Sequence, residues 1–362
     1  MSAPSRTTVA ESPAEPIQME MSTEKKPVVC FLGPETSYTH QAALQTFPPE
    51  QFELQPVQTI KDVFDTTQSG PASYGVVPFE NSTNGSVVFT LDHFADREAR
   101  YRDLSVCAEA YLDVHHCLLG YLPPASAEPT TPPPQSDGSV TGQKQPAMPL
   151  ASLGHVKRVY SHPQAWGQVT RFMHTYLKGI ETIDVSSTSK AAALAKADSS
   201  GTSAAVSSAL AGELQGLDFL ARNIEDREDN TTRFFVLRKG TGKQGSDIPE
   251  LEGRVPGRRG LVEEDKKKSQ QPRTKSLVSF TVPHAAPGAL ADVLECFRKG
   301  GLNLTSINSR PSLSEPFQYV FFVEFEGHKF EDPEGKVQEV LEGVGRVAQS
   351  WRWLGSWTNM RA

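Results

Sequence analysis

Apolar and polar positions alternate between strand-like and helix-like periods along most of the chain. From Lys26 on, PVVCFLG is a β-branched and aromatic run ended by Gly33, and it reads as a strand. THQAALQTF follows as a short helix, FELQPVQ as a strand and TIKDVFDTTQSG as a helix closed by Gly70. SYGVVPFEN is a buried strand ending in a loop rich in Asn, Ser and Gly, and AYLDVHHCLLGYL reads as one further strand. Beyond an interruption, HVKRVYSH reads as a strand and PQAWGQVTRFMHTYL as one helix with Pro163 in its first turn. STSKAAALAKAD, AAVSSALAGELQGL and TTRFFVLRK complete this part. Strands alternating with helices predict an α/β fold with a largely parallel sheet.

The C-terminal pattern is different and compact. SLVSFTV is a strand, PGALADVLECFRKGG a helix, LNLTSINSRP and QYVFFVEFEG strands, EGKVQEVLEGVG a helix and VAQSWRWLG a last strand. That β-α-β-β-α-β order is the ferredoxin-like arrangement. The domain plan is therefore a tail over 1–26, an α/β domain over 27–239, a linker over 240–274 and a ferredoxin-like domain over 275–360. A stretch near 122–150, crowded with Pro, Ser, Thr and Gly, is expected to be a surface insertion without order of its own.

Composition narrows the class. The chain has 362 residues, 37% of them apolar, which is enough for a normal core in two domains. The formal charge is −7 with both signs scattered, so no basic stripe marks a nucleic-acid partner. No run approaches the roughly 20 apolar residues of a membrane span, and the first 26 residues lack a signal-peptide core. Four separated cysteines form no CxxC pair, which fits a reducing, cytoplasmic compartment. Residues 240–245 match GxGxxG, but SDIPELEGRVPG follows instead of a helix, so no dinucleotide cradle is expected. His115 and His116, read as strand neighbours, would point to opposite faces and make a poor metal site.

Four segments carry chemistry. Gly33-Pro34-Glu35-Thr36-Ser37-Tyr38-Thr39-His40 runs from a strand end into a helix start, where free N–H groups can bind a carboxylate, although a plain N-cap has the same look. Pro78-Phe79-Glu80-Asn81-Ser82-Thr83-Asn84-Gly85-Ser86 ends in a hydrogen-bonding loop just past a strand, the usual ligand position in open α/β sheets, although a polar turn has the same look. Ser161-His162-Pro163-Gln164 stands at another strand-to-helix junction. Asp229-Asn230-Thr231-Thr232-Arg233-Phe234 enters a strand, and Arg233 offers a permanent fork for a carboxylate.

Together, FLGPETSYTHQAAL, GVVPFENSTNGSV, YSHPQAWGQ, SSTSKAAALA and NTTRFFVL occur in the order of the signature segments of prephenate dehydratases, which this chain resembles over nearly all of 28–238. The tail resembles that family's amino-acid-sensing ACT domain, and the insertion and long linker resemble the fungal branch. No chorismate mutase segment precedes the match, so a monofunctional form is expected. The resemblance implies two α/β subdomains like those of periplasmic binding proteins, with the active site in the cleft between them. It implies loss of water and CO2 from prephenate to give phenylpyruvate, without cofactor or metal. Since the overall charge repels a dianion, attraction must come from local donors.

The same resemblance assigns roles. Thr232 is expected to assist departure of the ring hydroxyl. Arg233, Phe234, Asn81, Ser82, Glu80, Ser161, His162, Gln164, Thr36 and Ser37 are the expected substrate-binding set. Thr36-Ser37 replaces the family's usual Gly-Thr, and a β-branched residue restricts that turn. In the tail, Gly288, Ala289, Leu290, Asn303, Asn308, Ser309, Arg310 and Pro311 are the expected phenylalanine site, with Asn308 where the family more often has Glu. L-Phenylalanine is thus the expected allosteric effector, and a homodimer or homotetramer the expected assembly. Arogenate dehydration and a non-catalytic amino-acid sensor remain the competing expectations.

Overall fold

The computed structural model describes residues 26–123, 145–240 and 273–361. The expected N-terminal tail, the centre of the 122–150 insertion and most of the 240–274 linker lie outside these residues.

The first apolar run forms β1 (Val28–Leu32), paired in parallel with β2 (Glu53–Val57) and β3 (Tyr74–Asn81). Helices on both faces explain why β1 and β3 read as continuous apolar runs. α1 (Tyr38–Thr46) packs on the face carrying Phe31 and Val76, and α2 (Ile60–Ser69) on the face carrying Cys30 and Val77. A two-residue β4 (Gly85–Ser86) folds back on the end of β3, and α3 (Val88–Ala95) follows. β5 (Leu104–Asp113) closes this lobe once β11 (Thr231–Lys239) returns and inserts antiparallel between β3 and β5.

The second lobe holds the sheet β10-β6-β9-β7-β8, built from β6 (Cys117–Gly120), β7 (Arg158–Ser161), β8 (Glu181–Asp184), β9 (Ser203–Ser207) and β10 (Asp218–Ala221). Its helices are α4 (Pro163–Trp166), α5 (Thr170–Tyr176), α6 (Thr188–Ala197) and α7 (Ala209–Gln215). The chain crosses between lobes twice, at 114–116 and 222–230. Two α/β lobes joined by two crossings form the architecture of periplasmic binding proteins.

Two expected elements divide in the structure. AYLDVHHCLLGYL is not one strand: β5 and β6 belong to different sheets, and His115 and His116 lie in the crossing between them. The second crossing holds this bend, because Glu225 accepts from the His116 backbone N–H at 2.9 Å and lies 3.2 Å from His115 Nδ1. PQAWGQVTRFMHTYL is not one helix either. α4 stops at Gly167, a poor helix former, and the carbonyl of Gln168 accepts from Asp226 N at 2.7 Å instead of continuing a helical ladder.

The C-terminal domain has the β-α-β-β-α-β order: β12 (Thr274–Thr281), α8 (Ala289–Lys299), β13 (Leu304–Pro311), β14 (Tyr319–Glu326), α9 (Lys336–Val347) and β15 (Ser350–Thr358). α8 and α9 cover the sheet face carrying Val278, Phe280, Val323 and Phe325. The opposite face shares a core with the first lobe, where Leu277, Phe322, Leu354 and Trp357 join Phe79, Phe94 and Phe235. At the seam β15 pairs with β5 through Gly355 and Val106, giving one sheet of order β13-β14-β12-β15-β5-β11-β3-β1-β2. A side chain at Gly355 would run into the Val106 carbonyl, so glycine is what lets the two sheets meet.

Beneath this seam lies an ion cluster. Arg233 of β11 is 2.6 Å from Glu109 of β5 and 2.5 Å from Glu324 of β14, and Lys275 of β12 is 3.3 Å from Glu324. The two cations and two carboxylates are all buried. Burial alone would disfavour the Glu324 carboxylate, but the neighbouring Arg233 and Lys275 charges outweigh it and hold the group below its usual pKa. A group held this way stabilises the fold above the ordinary glutamate pKa, and that stability is lost as pH falls through the lowered value. Replacing Arg233 by Met leaves two carboxylates with one cation. We expect a loss of about 3–5 kcal/mol in urea unfolding at neutral pH, shrinking as the pH falls below the usual carboxylate range.

Candidate active site

β3 and β11 end side by side at the cleft, and the side chains there interlock. The Asn81 side chain donates from Nδ2 to Thr232 Oγ1 at 2.9 Å, to Asn230 Oδ1 at 2.9 Å and more weakly to the Thr231 carbonyl at 3.3 Å. Its Oδ1 accepts from the backbone N–H groups of Thr83 and Asn84 at 3.0 and 2.9 Å. Backbone amides can only donate, so this amide has one possible orientation. Thr232 Oγ1 is therefore an acceptor from Asn81, which leaves its own proton to donate elsewhere. Ser82 fastens the loop to the incoming strand, donating to the Asp229 carbonyl and accepting from Thr231 N, both at 3.0 Å.

The pattern continues across the cleft. Asn230 Nδ2 donates to Gln168 Oε1 at 2.9 Å, and His116 Nε2 lies 2.6 Å from the same oxygen. Thr83, Gly167, Gln168, Asp226, Arg227 and Asn230 line a cavity of about 170 Å³ between the lobes. Burial raises the Asp226 carboxyl above its usual pKa. Across the same cleft the Ser208 hydroxyl reaches the Thr36 carbonyl at 3.4 Å. Ser37 caps α1, Ser187 caps α6 and Ser208 caps α7, each accepting from a backbone N–H. These helices start from the C-terminal ends of their strands, so their amide ends gather at the cleft, where a carboxylate is favoured. Among the described residues, no group of three or more His, Cys, Asp or Glu side chains is placed to hold a metal ion.

Residues 29–241 match the family model for prephenate dehydratase. The chain belongs to the prephenate dehydratase family. The bifunctional chorismate mutase/prephenate dehydratase of Aquifex aeolicus is 34% identical over 338 residues, covering 93% of this chain and 75% of that protein. A probable prephenate dehydratase of Saccharomyces cerevisiae is 30% identical over 355 residues, covering 89% of this chain and 93% of that protein. Among solved structures, the prephenate dehydratase of Arthrobacter aurescens in complex with L-Phe is similar with a TM-score of 0.69 and 25% identity, over 92% of this chain and 90% of that one.

Within this dehydratase fold the expected binding residues separate into three groups. Thr232, Asn81 and Ser82 come together at the strand ends. His162 and Gln164 stand at the start of α4, where His162 Nδ1 accepts from Gln164 N at 3.3 Å and Gln164 is exposed. Thr36 and Ser37 stand at the start of α1. Four expectations are corrected. Arg233 follows Thr232 along the strand and so faces the opposite side of the sheet, into the buried ion cluster. Glu80, its cross-strand partner, lies 3.9 Å from Arg233 on that side. Phe234 packs inside the α1-side core with Phe31 and Val76. Ser161 is fully buried, and its hydroxyl donates to the Val206 carbonyl at 2.9 Å. The Asn81 amide is engaged with Thr232 and with the backbone of its own loop.

The expected phenylalanine-site residues divide by strand alternation. Asn308 and Arg310 face the first lobe: Asn308 Oδ1 accepts from Ser86 Oγ at 2.7 Å, and Arg310 holds Asp92 at 2.9 and 3.0 Å. Gly288 starts α8 on the other side of the sheet with φ 84°. Ser309 pairs with Phe321 on the helix-covered side, Asn303 is exposed, Ala289 and Leu290 join the core under α8, and the Pro311 carbonyl accepts from Arg97.

His116, Gln168 and Asn230 were not among the expected site residues, because their contacts span 52 and 62 positions. The usable signal was the second Gln of PQAWGQ. The Thr36 substitution has a visible consequence. Thr36 sits at φ 74°, a left-handed conformation that suits glycine, and its buried Oγ1 has no hydrogen-bond partner. Thr36→Gly is expected to stabilise the chain by about 1 kcal/mol, read as a raised thermal midpoint.

Proposed function

We propose that the chain converts prephenate to phenylpyruvate in the cleft between its two lobes, with Thr232 as the catalytic residue. The reading rests on one observation, the Thr232 hydroxyl held by Asn81 so that its proton is left to donate into the cleft. In the reaction the bond from the ring carbon to its carboxylate breaks and CO2 leaves. That electron pair completes the aromatic ring, and the C–O bond to the ring hydroxyl breaks. The Thr232 hydroxyl hydrogen-bonds the departing oxygen and passes it a proton, so that it leaves as water, and solvent restores the threonine. Aromatisation supplies the driving force, so a weak acid in the right place suffices. Gln164, His162 and the amide ends of α1 and α6 receive the substrate carboxylates.

The ferredoxin-like domain, in this reading, binds L-phenylalanine and lowers activity. The L-Phe complex of the Arthrobacter aurescens relative supports this, as does the shared core that ties this domain to the catalytic lobe. In the same reading the enzyme is a cytoplasmic homodimer or homotetramer, and the match over 93% of the Saccharomyces cerevisiae relative supports a monofunctional form of the fungal kind.

The test is phenylpyruvate formation from prephenate, run beside arogenate and with or without phenylalanine. Turnover of prephenate should fall by about 10²–10⁴-fold in a folded Thr232→Ala variant. Phenylalanine should lower the wild-type rate. Turnover of arogenate alone would move the chain to the aminated substrate, and no turnover of either would leave a binding protein.

A further inference from the structure

The hydrogen bonds around Thr232 have a forced direction that can be followed to a buried histidine in the first crossing between the lobes. The N–H groups of Thr83 and Asn84 fix Asn81 Oδ1 as an acceptor, so Asn81 Nδ2 donates to both Thr232 and Asn230. Asn230 Oδ1 is then an acceptor, and its Nδ2 must be the atom facing Gln168. The Gln168 atom it meets is therefore the oxygen. That oxygen is also 2.6 Å from His116 Nε2, which must carry a hydrogen. Burial lowers the His116 pKa, which favours the neutral ring, and its Nδ1 lies 3.0 Å from the Tyr38 hydroxyl, whose proton is shared between that nitrogen and the His115 carbonyl at 3.1 Å. Two backbone amides in one lobe thus dictate the tautomer of a histidine in the crossing.

We infer that His116 and Gln168 are positioning residues for Thr232, acting as a latch that ties the two lobes together through one hydrogen-bonded chain. Gln168 belongs to the second lobe, whereas Asn81 and Thr232 belong to the first. With Gln168 in place, its oxygen takes both donors and the Asn230 amide cannot rotate. Asn230 then offers one Asn81 hydrogen a fixed acceptor, so that Asn81 Nδ2 stays in place on Thr232. Without the His116 donor, the Gln168 amide is free to flip and present its nitrogen to Asn230 Nδ2, so that two donors face one another and Asn230 is pushed away from Asn81. His116 is 2% exposed, touches no substrate, and acts solely through this chain. Prephenate binding should survive its loss while the chemical step suffers.

The inference rests on the dehydratase reading, so the first measurement is one that does not need turnover. Long-range proton–nitrogen NMR of the histidine-labelled wild-type chain should show His116 neutral with its hydrogen on Nε2. A hydrogen on Nδ1 alone would overturn the proposal whatever the substrate proves to be. Prephenate kinetics then test the consequence. His116→Leu should lower kcat by about 10²-fold, the scale of a misplaced catalytic group, with KM changed less than about threefold. His116→Gln, which restores an N–H near the Nε2 position, should recover most of the rate. A folded His116→Leu with wild-type kcat, or equal losses in the Leu and Gln variants, would overturn the latch. Absence of wild-type turnover would instead count against the dehydratase reading, with the NMR result still standing.

Discussion

The Asn81 amide holds two strand ends together at the mouth of the cleft, and the direction of its hydrogen bonds decides what Thr232 can do. β3 arrives as a parallel strand of the first lobe, and β11 arrives antiparallel after the chain has built the whole second lobe. Where they end, the Thr83 and Asn84 amides turn Asn81 oxygen-inward. A hydroxyl is both donor and acceptor, and solvent would leave its proton averaged over directions. Here the acceptor side is filled by Asn81, so the proton is directed. Preorganising a weak donor in this way avoids reorganisation at the moment of reaction.

The same strand couples that site to the regulatory domain. One residue after Thr232 the chain presents Arg233 to the far face, where it meets Glu109 and, from the ferredoxin-like domain, Glu324. A second contact runs from Asn308 to Ser86, in the short strand paired with the Glu80–Asn81 end of β3. Together with the core around Phe235 and Trp357, these contacts make the two domains one packed body. The β13 contact thus reaches one edge of the Asn81 loop and the β14 contact the other.

Much of this was legible in the sequence, and the failures have physical causes. The apolar periods gave β1, β3, α1, α2 and the complete β-α-β-β-α-β tail, because those elements are defined by local burial. Thr232 and Asn81 were named through separate segments, and the structure brings them into contact. Arg233 and Phe234 were misassigned because a motif names consecutive residues, whereas a strand sends consecutive side chains to opposite faces. Ser161 failed for another reason: a hydroxyl at a strand end can satisfy a neighbouring strand carbonyl as readily as a ligand. His115 and His116 were placed in a strand because the bend that removes them is imposed by Glu225, more than a hundred residues on. The continuity of Gln168 with His116 and Asn230 exists only in three dimensions.

The most direct test of the central claim is a crystal structure of the Thr232→Val chain soaked with prephenate, since valine keeps the shape of threonine and removes its donor. The account predicts intact prephenate with its ring hydroxyl within about 3.2 Å of the position the Thr232 oxygen occupies. Its carboxylates should lie toward the helix starts of the cleft. A ring hydroxyl directed to another side chain, or phenylpyruvate already formed in the crystal, would contradict it.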